Sequence, residues 1–507
     1  MAPEALTRDA RSEAIEVEPE LSSGDIQRRA ASGAALLTAK GVMAQVLGLV
    51  STIVVTRLLL PHQLGLYAIA MTISTFLLVL GGGVGMGAAL IRYSAPLEHA
   101  DLRAFCALQL VVSSVLVAVV FAATRPFGLI GDLTSVMVLS ALVTAVAGAS
   151  AIVLERQLLY KPIAVAETAA IVTFYGWTVV TVCIGWGLWG LATATLARSV
   201  VWTAVILALA PTRIVLPRYD RRRIRTMLGI GLRVQAVDLV SAVRDQFLVL
   251  GTAAIGSVSI VAYWSLVLRA LQAPQTLLLN LLRVSFPAMS RTRSAGGDPA
   301  TMLPRLLPAA TILTGTLLAP LAGSAPALVP FLFGKQWMPA ADALSLACLA
   351  VVIHTPVLIA AQSYLWTAGD AKSPLRASIA DAVVVVAVGL PLVPLIGVLG
   401  LAIGGVACAI VHTGILARAV DRQTHVRVIR HIRIPVLAWL GAVGVAWGCA
   451  QTPAPLAVLT VLSASLAIGL YLGLLFLTQR ELMVRLASQY WPLVRKRLLY
   501  RRAPATA

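Results

Sequence analysis

Leu110-Val-Val-Ser-Ser-Val-Leu-Val-Ala-Val-Val-Phe-Ala-Ala123 is apolar at every position but two, and neither serine is charged. It lacks the strict two-residue alternation that marks a strand of a membrane barrel. Val383–Leu395 reads the same way. In lipid a helix satisfies its own backbone polar groups, and roughly 20 mostly apolar residues suffice to cross. Outward from these two blocks, runs of that kind recur at about 34–59, 64–91, 104–123, 133–154, 163–185, 187–210, 227–250, 256–286, 303–322, 341–366, 374–394, 398–417, 434–450 and 454–477. The expectation is an all-α polytopic membrane protein of about 14 transmembrane helices. Pro320, Pro326, Pro330 and Pro339 break the pattern between 320 and 345, where a re-entrant or outer-face segment is expected.

Composition agrees. Of 507 residues, 59% are apolar and 12% charged, against about 25% charged in soluble domains. Cys106, Cys183, Cys348, Cys408 and Cys449 lie in apolar runs without a CxxC pair, which argues against a disulfide or zinc framework. The six histidines show no metal-ligand spacing, so no metal is expected. The first 30 residues hold seven acids and four arginines and lack a signal-peptide pattern, so residues 1–33 read as a disordered cytoplasmic tail.

The net charge of +19 is distributed by topology. Most of the 40 Lys and Arg residues fall in the tails and the even-numbered connections, with Arg57, Arg125 and Lys335 the exceptions on the other side. That asymmetry places both termini in the cytoplasm. The basic excess then serves topology and lipid rather than nucleic acid. The longest link, 211–226, is basic and divides an N-lobe (34–210) from a C-lobe (227–417). A basic loop (418–433), two further spans (434–477) and a basic amphipathic cytoplasmic tail (478–507) follow. The halves repeat: Gly187-Leu-Trp-Gly-Leu-Ala192 opens span six and Gly397-Val-Leu-Gly-Leu-Ala402 opens span twelve. Six spans per lobe give parallel repeats, the plan of transporters with two pseudo-symmetric lobes.

Span seven carries charge where lipid would forbid it. Met227-Leu-Gly-Ile-Gly-Leu-Arg-Val-Gln-Ala-Val-Asp-Leu-Val-Ser-Ala-Val-Arg-Asp-Gln246 places Arg233 and Arg244 on one helical face and Asp238 and Asp245 on another. Span eight adds Arg269 and Arg283, span one Lys40, and span six Arg198. Such groups face water, a partner or a substrate, and guanidinium groups suit phosphate. These six cations are the candidate substrate-binding set. Interfacial snorkelling and helix pairing are the structural alternatives. Glu167 and Asp381, at roughly matching places in spans five and eleven, are candidates for ion coupling or for partnering a nearby arginine. With Asp238, Asp245 and Arg57 they form the candidate coupling or gating set. No catalytic residue and no cofactor is expected. The run Gly81-Gly-Gly-Val-Gly-Met-Gly87 lies inside span two and reads as close helix packing, with a flexible point for gating as the alternative, not as a phosphate loop.

Three motifs add a resemblance. Thr56-Arg-Leu-Leu-Leu-Pro-His-Gln-Leu-Gly-Leu-Tyr-Ala68, Phe331-Leu-Phe-Gly-Lys-Gln-Trp337 and Ala368-Gly-Asp370 occur in this order over a fourteen-span plan. In them the chain resembles the O-antigen and exopolysaccharide flippases of the multidrug/oligosaccharidyl-lipid/polysaccharide exporter superfamily. Leu60 departs from the Gly frequent there. The resemblance implies a polyprenyl diphosphate-linked oligosaccharide as substrate, flipped across the bacterial cytoplasmic (inner) membrane by alternating access. It also implies V-shaped lobes around a cationic cavity, contact with membrane lipids, and polysaccharide polymerase and chain-length machinery as partners. It does not carry over any essential residue. A cation-coupled multidrug exporter of the same superfamily is the second hypothesis, and a membrane glycosyltransferase or polymerase the third.

Overall fold

The computed structural model describes residues 23–80, 87, 90, 98–157, 159–212, 215–225, 227–228, 246–481 and 483–484, without the side chains of 23–39, 80, 283 and 284. The described residues form helices and no strands. Their contacts divide the chain into two compact units, Met1–Ala262 and Tyr263–Ala507.

In the first unit the long helices are α1 (Ser23–Leu58), α2 (Pro61–Leu80), α3 (His99–Thr124), α4 (Gly128–Arg156), α5 (Tyr160–Cys183) and α6 (Leu188–Leu209), and a short apolar helix covers Gln246–Ile255. The tail expected over 1–33 is helical from Ser23 onward. Then come α7 (Val258–Ser294), which begins in the first unit and runs through the second, and α8 (Leu303–Phe333). Helix α9 (Pro339–Val357) continues through a π turn, Leu358–Gln362, into Ser363–Ala368. Helix α10 (Lys372–Val384) continues through a second π turn, Val385–Gly389, into Leu390–Ile396. Helices α11 (Val398–Gln423), α12 (Val428–Cys449) and α13 (Leu456–Thr478) complete the chain.

Among the described residues, eleven segments are long and apolar enough to cross a membrane. One of them, His99–Arg156, contains both α3 and α4. The chain is therefore a multi-pass membrane protein. The expected count of about 14 is not reached among the described residues, for two reasons. Most of span seven lies outside them. Helix α7 is 37 residues long, yet Arg269, Gln272, Gln275 and Asn280 dilute its apolar run.

The prolines between 320 and 345 do not break the chain as expected. Helix α8 runs unbroken through Pro308, Pro320, Pro326 and Pro330, and only Gly334 ends it. A proline strips the carbonyl four residues earlier of its donor. Pro326 does this to Ala322, and the Ser345 hydroxyl from α9 donates to that carbonyl at 2.8 Å. Helix α8 is also enclosed by α9, α12 and α13, and protein neighbours are what make such prolines tolerable in a membrane. Trp439 Nε1 of α12 donates to Gly315 O at 3.2 Å. Gly315 leaves room for Tyr471 of α13, whose hydroxyl oxygen would lie 2.4 Å from an added Cβ. The two helices beyond the repeat thus pack onto α8.

The repeated Gly-x-x-Gly turns share one backbone. Gly187 and Gly397 adopt φ/ψ of 56°/−129° and 63°/−136° as they open α6 and α11. Only glycine reaches that region at low cost. Gly128 opens α4 with 53°/−132°, a third copy of the same turn. Each turn folds two helices back on one another. In the last of them Gly389 faces Gly404, and a Cβ on Gly404 would meet Gly389 Cα at 2.6 Å.

The link after α6 is held to the start of α3. Arg223 donates through Nη1 to Asp101 Oδ1 at 2.5 Å and through Nη2 to Glu98 Oε2 at 2.7 Å. Its Nε lies 3.4 Å from Asp220 Oδ2. Donating to Asp101, then to Glu98, pushes the guanidinium further above its already high pKa. Part of the link's basic charge is therefore spent on docking it.

Candidate functional site

Helix α7 presents a polar stripe. At 100° per residue, Arg269, Gln272, Thr276 and Asn280 fall on one face, and all four are exposed. Leu266, Val267, Leu271 and Leu278 lie behind them, buried. The stripe extends about 16 Å along the axis. Pro274 sits in its middle and deprives the Ala270 carbonyl of its helical donor, next to Arg269. Thr276 turns its hydroxyl back to Gln272 O at 2.8 Å. No described residue forms an ion pair with Arg269. Sequence inspection picked out Arg269 alone; the i, i+3, i+7, i+11 spacing of the other three was the signal available.

The remaining predicted residues separate into groups. Arg233, Asp238, Arg244 and Asp245 lie outside the described residues. Arg283 belongs to α7, but its side chain lies outside them too. Lys40 of α1 and Glu167 of α5 come together as an ion pair through Nζ and Oε2. A predicted substrate cation and a predicted coupling acid therefore neutralise each other. Arg198 on α6 is exposed, its guanidinium carbon 6.0 Å from the centroid of Phe174 on α5. That is the outer limit of a cation–π contact. Arg57 is exposed in the last turn of α1, where a cation opposes the helix dipole favourably.

The family-like motifs have structural roles. After Arg57, Pro61 starts α2, and Gln63 Oε1 accepts from Leu60 N at 3.0 Å to cap it. Gly65 lets the Val258 backbone come close: a Cβ there would lie 2.0 Å from Val258 O. In the second motif Gly334 turns the chain at φ 104°, and Trp337 is buried edge-on against Tyr263, with ring centroids 5.8 Å apart. In the third, Gly369 closes the α9 run in the left-handed region and Asp370 opens α10. Asp370 Oδ1 accepts from Ser373 N at 3.0 Å and Lys372 N at 3.1 Å. Its Oδ2 accepts from the Ser373 hydroxyl at 2.7 Å and from Gln423 Nε2, at the end of α11, at 3.0 Å.

Asp381 does not meet an arginine among the described residues. Its Oδ2 is 2.6 Å from His412 Nδ1 on α11. His354 of α9 stacks edge-on against His412, with centroids 4.4 Å apart. Spacing along the chain could not reveal this trio, because three helices supply it. The hairpin register did hold the information. About two turns along each helix from the Gly389–Gly404 contact, Asp381 falls opposite His412.

The model of the family described as polysaccharide biosynthesis protein matches residues 54–342. No curated protein matches the sequence. Among solved structures, the chain is similar to the lipid II flippase MurJ in an inward closed conformation. The identity is 14%, covering 89% of this chain and 100% of that one, with a TM-score of 0.69. It is also similar to an inward-facing multidrug resistance MATE family transporter of the MOP superfamily. There the identity is 18%, covering 75% of this chain and 96% of that one, with a TM-score of 0.55. At such identities the likeness shows the fold alone, one that this chain shares with both transporters. The family model spans more than half of the residues, and the chain belongs to the polysaccharide biosynthesis protein family.

Proposed function

We propose that this protein flips a polyprenyl diphosphate-linked oligosaccharide from the inner to the outer leaflet of the bacterial cytoplasmic membrane by alternating access. The polar stripe on α7 carries the reading. A charge facing lipid at a helix centre costs roughly 2.5–3.5 kcal/mol, so the face that holds Arg269 meets water or an anionic group. A guanidinium donates paired hydrogen bonds to a diphosphate. The amides of Gln272 and Asn280 both donate and accept, as sugar hydroxyls require. Arg233, Arg244 and Arg283 extend the proposed anion-binding set, and Asp238 and Asp245 are proposed to gate it. The prenyl tail stays in lipid. Membership of a polysaccharide biosynthesis family supports the reading, as does a fold shared with a lipid II flippase. Polymerase and chain-length proteins would use the flipped unit. In the first unit Glu167 is matched by Lys40, which takes that acid away from an organic cation.

The test is the lipid-linked oligosaccharide pool in a deletion strain. A finished repeat unit should accumulate on the polyprenyl diphosphate carrier while surface polysaccharide disappears. Complementation with Arg269→Gln should restore the inserted protein but lower transport about tenfold or more, the loss of a charged hydrogen bond. An unchanged pool with new sensitivity to cationic drugs would overturn the proposal, and full activity of Arg269→Gln would remove Arg269 from the site.

A further inference from the structure

The trio of His354, Asp381 and His412 is not used by the proposed anion site. Their ligand atoms all lie within 4.8 Å of one another. The His412 side chain is 4% exposed and that of Asp381 18%. Two of their polar atoms, Asp381 Oδ1 and His412 Nε2, are buried without a hydrogen-bond partner among the described residues. A buried polar atom left unmatched is costly and asks for an explanation. If His412 donates its Nδ1 proton to Asp381, its Nε2 carries a lone pair, and Oδ1 carries another. No single ion could reach both while that bond stands, because Nε2 points away from the carboxylate, whereas an ion replacing the shared proton would meet Nδ1 and the carboxylate together. A proton added to Nε2 would only turn a buried acceptor into a buried donor.

We infer that His354, Asp381 and His412 bind a divalent transition-metal cation of the zinc or cobalt type. Two imidazoles and one carboxylate make up a set known for such ions, with a fourth position left for water. Magnesium, calcium and alkali cations favour all-oxygen shells. Metal–ligand distances of about 2.0–2.2 Å require the three groups to draw in from their present spacing. The π turns offer the slack. One begins four residues after His354 and the other four residues after Asp381, and π bulges loosen a helix at such points. Occupancy would fasten α9, α10 and α11 to one another.

The site is tested by binding, independently of transport. Full-length protein without a histidine tag, in detergent, is titrated with Co2+ and followed by visible absorption, then by equilibrium dialysis with Zn2+. The expected result is one ion per chain, an intense tetrahedral cobalt spectrum, and displacement by Zn2+ but not by Mg2+ or Na+. His412→Gln and His354→Gln should each weaken binding at least about tenfold. His412→Cys, which keeps a ligand, should restore it and shift the cobalt bands toward thiolate charge transfer. His425→Gln plus His431→Gln, outside the trio, should change nothing. Wild-type protein that gives no cobalt spectrum, or binds no better than the His354→Gln/His412→Gln double variant, overturns the inference. Displacement by Na+ or Mg2+ would overturn the assignment of ion class.

Discussion

Glu167 and Asp381 stand at similar places in the fifth and eleventh spans, yet their partners differ. In the first unit Glu167 meets Lys40, an ammonium group that only donates. In the second, Asp381 meets His412, whose ring offers a second nitrogen on its far side. The first pair cancels charge and fastens α1 to α5. The second leaves two buried atoms unmatched and has another imidazole beside it. Two acids that look alike in sequence therefore serve different ends, and the difference lies in the partner.

The largest expected effect comes from breaking the first pair. Lys40→Ala leaves Glu167 charged in a membrane setting without its counter-ion. Removing one partner of a fully buried pair costs about 3–5 kcal/mol. Here the side chains are 22% and 36% exposed, so about 2 kcal/mol is the better expectation after screening. Thermal unfolding in detergent would show it as a clear loss. Lys40→Met with Glu167→Gln should recover most of the loss, because neither charge then needs a partner. If the double variant is as unstable as the single, the pair is not what fastens the two helices.

The repeated turns sharpen the comparison at a smaller scale. A Cβ on Gly190 would sit 2.4 Å from Thr181 Oγ1, which is a side chain that can rotate. A Cβ on Gly400 would sit 2.6 Å from the Leu392 carbonyl carbon, which is backbone and cannot. Gly400→Ala should therefore cost more than Gly190→Ala: about 1–2 kcal/mol, within the usual range for overpacking, against less than about 1 kcal/mol. Melting temperatures of the two variants decide it. Equal losses would mean that the second hairpin opens as easily as the first.

How far the sequence reached follows from the range of each signal. Apolar run length is local, so span positions were legible from Leu110–Ala123 outward. The Gly187 and Gly397 repeats were legible too, because their backbone demands glycine at one spot. The reading of Pro320 to Pro339 failed for a physical reason: a proline disrupts a helix only where nothing else meets the freed carbonyl, and Ser345 meets the one at Ala322. The Lys40–Glu167 and Asp381–His412 pairs were invisible as pairs, since each joins residues more than 30 positions apart. Arg269 was visible as a charge out of place. The stripe around it was hidden because Gln272, Thr276 and Asn280 are unremarkable until laid on one helical face.

The smallest effect concerns the Ala368-Gly-Asp370 turn, which positions the α10 helix that carries Asp381. The Ser373 hydroxyl, and then the Ser373 backbone N–H, hold the Asp370 carboxyl below the usual carboxylate range. Its native pKa is therefore depressed, so the unfolded chain takes up the proton first as pH falls. The cap's contribution is fully present above the ordinary value near 3.8 and fades as pH drops through the native pKa. Asp370→Ala should cost about 1 kcal/mol at neutral pH, the usual worth of such a cap, and Asp370→Asn only a few tenths, since its carbonyl still accepts. Melting curves at pH 7 and near pH 3 should show the wild type losing a component that Asp370→Asn never had. Parallel acid sensitivity in both would assign the pH dependence to other carboxylates, and α10 would then be held in place by its packing on α11 rather than by its cap.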